Sequence, residues 1–157
     1  MTSTLVREQL GNFSSIVCFK SVITGMEDAL GEKATAIALI AAGRSRGKKL
    51  AAQLGLTNTS TGLEDATQKI GQALGKDGTR LCVIEKIAQE GDVIKVYTLE
   101  TLCSAGEVEG SSRKCTFTMG AIWGALEEML GKRLQGTHTE SVLRGGNYDV
   151  FEFKAMS

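Results

Sequence analysis

The sequence predicts an α+β protein with an antiparallel sheet, from two observations. Apolar residues recur at three- and four-residue steps through three successive segments, and the pattern then switches to short β-rich runs joined by turn residues. The resulting order is three helices, a hairpin, a fourth helix and a second hairpin (ααα-ββ-α-ββ). Helices and strands segregated in this way favour α+β over an alternating parallel architecture.

The first helix is expected over residues 13–30, where Phe13, Ile16, Val17, Phe19, Val22, Ile23, Met26 and Leu30 share a helical period, with Asn12 as its cap and Gly31 as its end. The second runs from Glu32 to Leu54 and stops at Gly55. Its first half, Ala34 to Gly43, is apolar nearly all round and is expected in the middle of the domain. Its second half carries Arg44, Arg46, Lys48 and Lys49, cations that suit a helix C-terminus.

A polar loop, Thr57 to Gly62, precedes a third helix over 63–74 that Ser60 or Thr61 would cap. Arg80–Ala88 and Val93–Leu99 read as strands joined at Gln89-Glu90-Gly91-Asp92. Leu81 with Val83 and Cys82 with Ile84 put apolar residues on both strand faces, so both are expected to be covered. Residues 100–114 read as a loop, and Thr116–Leu130 as a helix closed by Gly131. The last hairpin is expected as Gln135–Leu143, a turn at Arg144-Gly145-Gly146-Asn147, and Tyr148–Lys154.

Composition bounds the function. The 157 residues are 42% hydrophobic and 23% charged, which suits one globular domain and excludes collagen-like, disordered and coiled-coil classes. With 18 basic against 18 acidic residues there is no basic excess to neutralise nucleic-acid phosphates. The longest apolar stretch is about half of what spans a bilayer, and residues 1–12 lack the apolar run of a signal peptide. Cys18, Cys82, Cys103 and Cys115 are scattered without a C-x-x-C pair, so reduced thiols in a cytoplasmic protein are expected. Proline is absent and glycine numbers 19, so glycine must do much of the turning.

Six glycines form i, i+4 pairs on predicted helices: Gly43 and Gly47, Gly71 and Gly75, Gly120 and Gly124. Interior glycine costs about 0.5–1 kcal/mol relative to alanine, so close helix packing or a backbone wall beside a ligand has to compensate. Gly43-Arg-Ser-Arg-Gly47-Lys-Lys is no phosphate loop, because it lies within a helix and lacks the required spacing. His138 has Glu140 two residues away, on the same strand face, which reads as a surface or interface pair. No cysteine is placed beside it, so no catalytic residue is assigned. No ligand spacing marks a metal site, and none is assigned. Trp123, with Phe117, Met119, Ile122, Leu126 and Met129, reads first as helix core and second as the lining of a pocket.

Leu30-Gly-Glu-Lys-Ala through Ala42-Gly43-Arg-Ser-Arg-Gly47-Lys-Lys-Leu50 resembles the "LG-x-x-A … AG-R-x-x-G-x-x-L" helix of the 4-vinyl-reductase domain family. Cys115-Thr-Phe-Thr-Met-Gly120-Ala-Ile-Trp-Gly124 resembles its later "C-x-F-x-x-G-x-x-x-G" helix, and Glu140 to Phe151 its closing hairpin. Gly120-x-x-x-Gly124-Ala-Leu-Glu127 also has a counterpart in small subunits of the transport-protein-particle tethering complex, which share the fold. The resemblance implies a four-stranded antiparallel sheet with helices packed on it, one domain over 13–154 behind an extension of residues 1–12, and homodimerisation through helices. It also implies a hydrophobic small molecule, a tetrapyrrole precursor or a hydrocarbon chain. Cys115, Trp123, His138, Gly120 and Gly124 are expected near that ligand, between the second helix and the sheet. Many members carry cysteines in the closing hairpin in a pattern suggestive of metal; counted from Glu140, those places hold Leu143 and Asp149. The acylated cysteine of tethering subunits falls in Thr57-Asn-Thr-Ser60, which has none. The alternative is a structural assembly factor that recruits proteins without a ligand. A reductase would need a separate electron donor, since no nucleotide fingerprint is present.

Overall fold

A computed structural model describes residues 6–59 and 62–156. The chain divides into two compact units, Met1–Thr35 and Ala36–Ser157. The predicted order of elements is the observed one, with a four-stranded antiparallel sheet.

The first unit holds α1 (Ile16–Leu30), which buries only Ile23. It starts three residues later than the periodicity suggests, because Ser15 and not Asn12 caps it, accepting the Val17 N–H at 3.1 Å. Gly31 ends it as expected, its φ of 87° letting its own N–H reach Glu27 O. Next comes α2 (Glu32–Gln53), ending just before Gly55.

In the second unit α3 (Leu63–Leu74) buries Ala66, Ile70 and Leu74 at helical spacing. Its N-cap is Gly62; Ser60 and Thr61, the caps expected from sequence, lie outside the described residues. The first strand, β1 (Val83–Glu90), begins three residues later than expected. Leu81 and Cys82 spend their N–H groups on Leu74 O at the end of α3, and Arg80 turns there with a positive φ. The apolar residues that suggested two covered faces therefore fall partly outside the strand. In β2 (Val93–Leu99) Ile94, Val96 and Thr98 are buried while Lys95 and Tyr97 are half-exposed, a one-sided pattern.

The helix α4 (Thr116–Leu130) and its left-handed cap Gly131 match expectation. Ten of its 15 residues are buried, so α4 is the central helix of this unit. The apolar half of α2 is not central: Ile37 is 62% exposed. The third strand, β3 (Leu134–Glu140), stops short of Leu143, because Ser141 caps a single 3₁₀ turn, Val142–Arg144, that takes the place of the strand end. The sheet is completed by β4 (Asp149–Ala155), in the order β1-β2-β4-β3.

Two of the three glycine pairs join α2 to α4. A Cβ on Gly43 or Gly47 would meet the backbone of Phe117, Ala121 and Ala125, and one on Gly120 or Gly124 would meet that of Ile40 and Arg44. Rising numbers on α2 meet rising numbers on α4, so the two helices run parallel in backbone contact. The third pair dissolves: Gly75 is the C-cap of α3, and Gly71 makes only ordinary contact with Ile84.

Candidate functional site

The site forms where four segments converge: the loop after β2, the start of α4, β3 and the start of β4. Cys115 is the N-cap residue of α4. His138 points inward from β3, where it pairs with Phe151 in register, its ring 4.8 Å from that of Phe151. Asp149 opens β4 and is fully buried. One ligand atom from each of Cys115, His138 and Asp149 lies within 4.8 Å of the others.

A buried carboxylate is costly unless hydrogen bonds replace its water. Here Asp149 Oδ2 accepts from Thr101 Oγ1 at 2.6 Å and from Ser104 Oγ at 2.9 Å, and Oδ1 lies 3.2 Å from His138 Nε2. Burial pushes the carboxyl up, but the hydrogen bonds from His138, Thr101, Ser141 and Ser104 outweigh it and hold Asp149 well below the usual carboxylate range. The Cys115 backbone N–H donates to His138 Nδ1 at 3.3 Å. A backbone N–H can only donate, so the ring proton sits on Nε2 and serves Asp149.

Two further thiols surround Cys115. Cys103 Sγ lies 3.7 Å from Thr118 Oγ1, on the first turn of α4, and Cys115 Sγ lies 3.3 Å from Ser104 Oγ. The Cys103 thiol donates to Cys115 and draws it down to about 7 against the cost of burial, while Cys103 itself is raised by burial and by that bond. Cys82 is pushed up to about 12 by burial and by the charges of Cys115 and Asp149. Thr101 and Ser104 have one proton each and both serve Asp149, so a Cys115 thiolate would compete with the carboxylate for them.

Potential ligand atoms of the S, N and O types converge within 4.8 Å, the atom types that bind zinc, but both His138 nitrogens are engaged in the arrangement seen, Nδ1 by the Cys115 N–H and Nε2 by Asp149. No local spacing in the sequence shows this convergence, because the three residues come from three separate elements. Asp149, noted there only as a departure from a cysteine pattern, is itself a donor. Glu140 is not the acid beside His138: a register irregularity between the two residues leaves Glu140 exposed and His138 6% exposed. The arrangement is not a nucleophile–base–acid relay either, since Nδ1 is occupied by the Cys115 main chain.

The other expected residues lie further along the same helix and sheet. Trp123 is half-buried, donates Nε1–H to Leu134 O at 2.9 Å, and meets Phe153 edge-on with ring centroids 6.1 Å apart. Gly136 makes room for it, because a Cβ there would strike both rings. Arg44 lies over the indole, 4.6 Å from its centroid, while its Nη2 donates to the buried Glu127 at 2.7 Å. Gly120 and Gly124 have the α2 backbone where a ligand wall would need open space. A cleft of about 310 Å³ beside them is lined by Arg44, Lys48, Glu127, Glu128, Lys132 and Arg133, too polar to receive a hydrocarbon.

Thr101, Cys103 and Ser104 were not singled out in the sequence, where 100–114 reads only as a loop. That loop is tied down: Leu102 N–H bonds Leu81 O, Gly110 N–H bonds Leu143 O, and Arg144 Nη1 bonds the carbonyls of Ser111 and Arg113. Among the described residues no helix is long and apolar enough to cross a membrane.

No protein-family profile matches the chain, and no curated protein matches it in sequence. Solved structures do match it in fold. The phenol-responsive sensory domain of the transcription activator PoxR, solved with phenol, superposes with a TM-score of 0.71 at 12% identity over 92% of this chain and 76% of that one. A trafficking protein particle complex subunit 3 from Naegleria fowleri, covalently bound to palmitic acid, gives 0.57 at 15% identity over 90% and 93%. At these identities the likeness establishes the shared fold.

Proposed function

We propose that the chain is a non-catalytic, dimeric module of the 4-vinyl-reductase type that binds a hydrophobic small molecule, a tetrapyrrole or a hydrocarbon. Residues 13–154 act as one domain behind the extension 1–12. The observation that carries this reading is the buried cluster of Cys115, His138 and Asp149 set against Phe151, with Trp123 against Phe153 two residues further along β4. Small-molecule sites are mostly apolar with a few convergent polar groups, and this end of the core has that character. The phenol and palmitic acid held by the two solved neighbours support a small apolar ligand here. In this reading Gly120 and Gly124 seat α4, and so position Cys115 and Trp123, without touching the ligand themselves.

Solvent extraction of the purified protein, followed by absorption spectra on adding a porphyrin, chlorophyllide, phenol or palmitate, tests the reading. A ligand at about 100 times its Kd stabilises by roughly 2.7 kcal/mol, a rise in Tm of about 5–10 °C for a chain of this size. No extracted molecule and no shift with any of the four would overturn it.

A second reading, an assembly factor without ligand, is favoured by exposed apolar side chains: Val17 at 68% and Val22 at 59% on α1, and Ile37 at 62% on α2. A stable dimer by light scattering that captures defined protein partners while empty would support it. An assay of vinyl reduction with reduced ferredoxin is expected to yield no product.

A further inference from the structure

We propose that Cys103 and Cys115 form a redox pair, which a peroxide converts into an intramolecular disulfide. The ligand reading uses Cys115 but leaves Cys103 without a role. Cys103 is nonetheless held in place: it is 5% exposed, lies 3.7 Å from the Thr118 hydroxyl, and hydrogen-bonds to the Cys115 thiol. Thr118 is one helical turn after Cys115, so the Cys103 sulfur sits over the first turn of α4 beside its partner. Ser104, the next residue, reaches Cys115 Sγ at 3.3 Å. Two thiols twelve residues apart in sequence are thus held together by two hydroxyls, Ser104 on the loop and Thr118 on α4.

Cys115, on losing its proton, attacks one oxygen of the peroxide. The O–O bond breaks, Cys115 becomes a sulfenic acid, and the departing hydroxide takes up the proton as water. The Cys103 sulfur then attacks Cys115 Sγ; the S–S bond forms, the S–O bond breaks, and hydroxide leaves with the Cys103 proton as a second water. Two thiols are oxidised and one hydrogen peroxide is reduced to two waters. Access requires the segment 100–114, which has no helix or strand and exposes Val108 at 76%, to release its hydrogen bonds to Leu81, Leu143 and Arg144. Segments of this kind open locally at a fraction of the global stability. The product clamps the 103–115 loop onto α4 and changes the sulfur beside Ser104 and Thr101, the two hydroxyls that serve Asp149.

The test treats the full chain, natively folded, with stoichiometric hydrogen peroxide, then alkylates it in denaturant and maps it by mass spectrometry. Trypsin cuts after Arg113 and Lys114, so a Cys103–Cys115 bond joins two separate peptides, neither containing Cys82 or Cys18. The expected result is a fall from four alkylated cysteines to two, the linked peptide pair, and full recovery with dithiothreitol. Cys103→Ser should leave a sulfenic acid on Cys115 that dimedone traps. Four cysteines still alkylated after treatment, or a bond to Cys82 or Cys18 in the native protein, would overturn the proposal. Because the wild-type chain alone decides the outcome, a variant that fails to fold does not rescue it.

Discussion

Asp149 is the residue on which the buried cluster turns. Its carboxyl is held well below the usual carboxylate range by hydrogen bonds from four side chains, His138, Thr101, Ser141 and Ser104. Removing one of them leaves a buried acceptor short of a hydrogen bond, which costs about 1–3 kcal/mol before any cavity is counted. His138→Ala should therefore lose roughly 2–4 kcal/mol in urea unfolding, with the same helical circular dichroism below the transition. The pH dependence has a definite sign. The native carboxyl titrates below its ordinary value of 3.8, so the stability it adds is complete above that value and is lost as the pH falls below it. The urea midpoint should drop steeply below about pH 4, and Asp149→Asn should flatten that slope relative to wild type. Thiol reagents give a third readout at this scale. Cys18 is exposed while Cys82 is buried, so a bulky thiol reagent should modify Cys18 at once and Cys82 only on unfolding.

At the scale of elements, the contact of α2 with α4 sets the geometry. Their backbones meet through Gly43, Gly47, Gly120 and Gly124, leaving no volume for a methyl group. The helix-propensity cost of each glycine, about 0.5–1 kcal/mol, is offset by the closeness it permits. Gly47→Ala should cost at least 1–3 kcal/mol through overpacking against main chain that cannot move away. Gly25→Ala, on α1 with nothing within 4 Å of the new methyl, should instead gain about 0.5–1 kcal/mol. A loss at Gly25 or neutrality at Gly47 in thermal melts would contradict this account. The glycine spacing was legible in sequence; its meaning was not, because i, i+4 spacing names a face and not the neighbour that covers it. The same limit misplaced the central helix. The apolar half of α2 and α4 look alike in composition, yet only α4 is enclosed.

For the molecule as a whole, exposed apolar residues on α1 and early α2 bear on assembly. Light scattering should return about twice the monomer mass, and Val17→Glu with Val22→Glu should halve it while leaving the circular dichroism intact. Persistence of the dimer in that double variant would place the contact elsewhere.

The sequence by itself determined the order and type of every helix and strand, though not the 3₁₀ turn at Val142–Arg144, and the ends of α4, because periodicity and glycine caps are local properties written within a few residues. It also marked His138 and Cys115, though with the wrong acid beside the histidine. Only the tertiary structure decided that Asp149 is that acid, that Thr101, Cys103 and Ser104 complete the cluster, and that α4 is the core. Those facts depend on register, on a bulge between His138 and Glu140, and on a loop folded back over a helix start. Each brings together residues far apart in the chain, and no local pattern encodes such a distance.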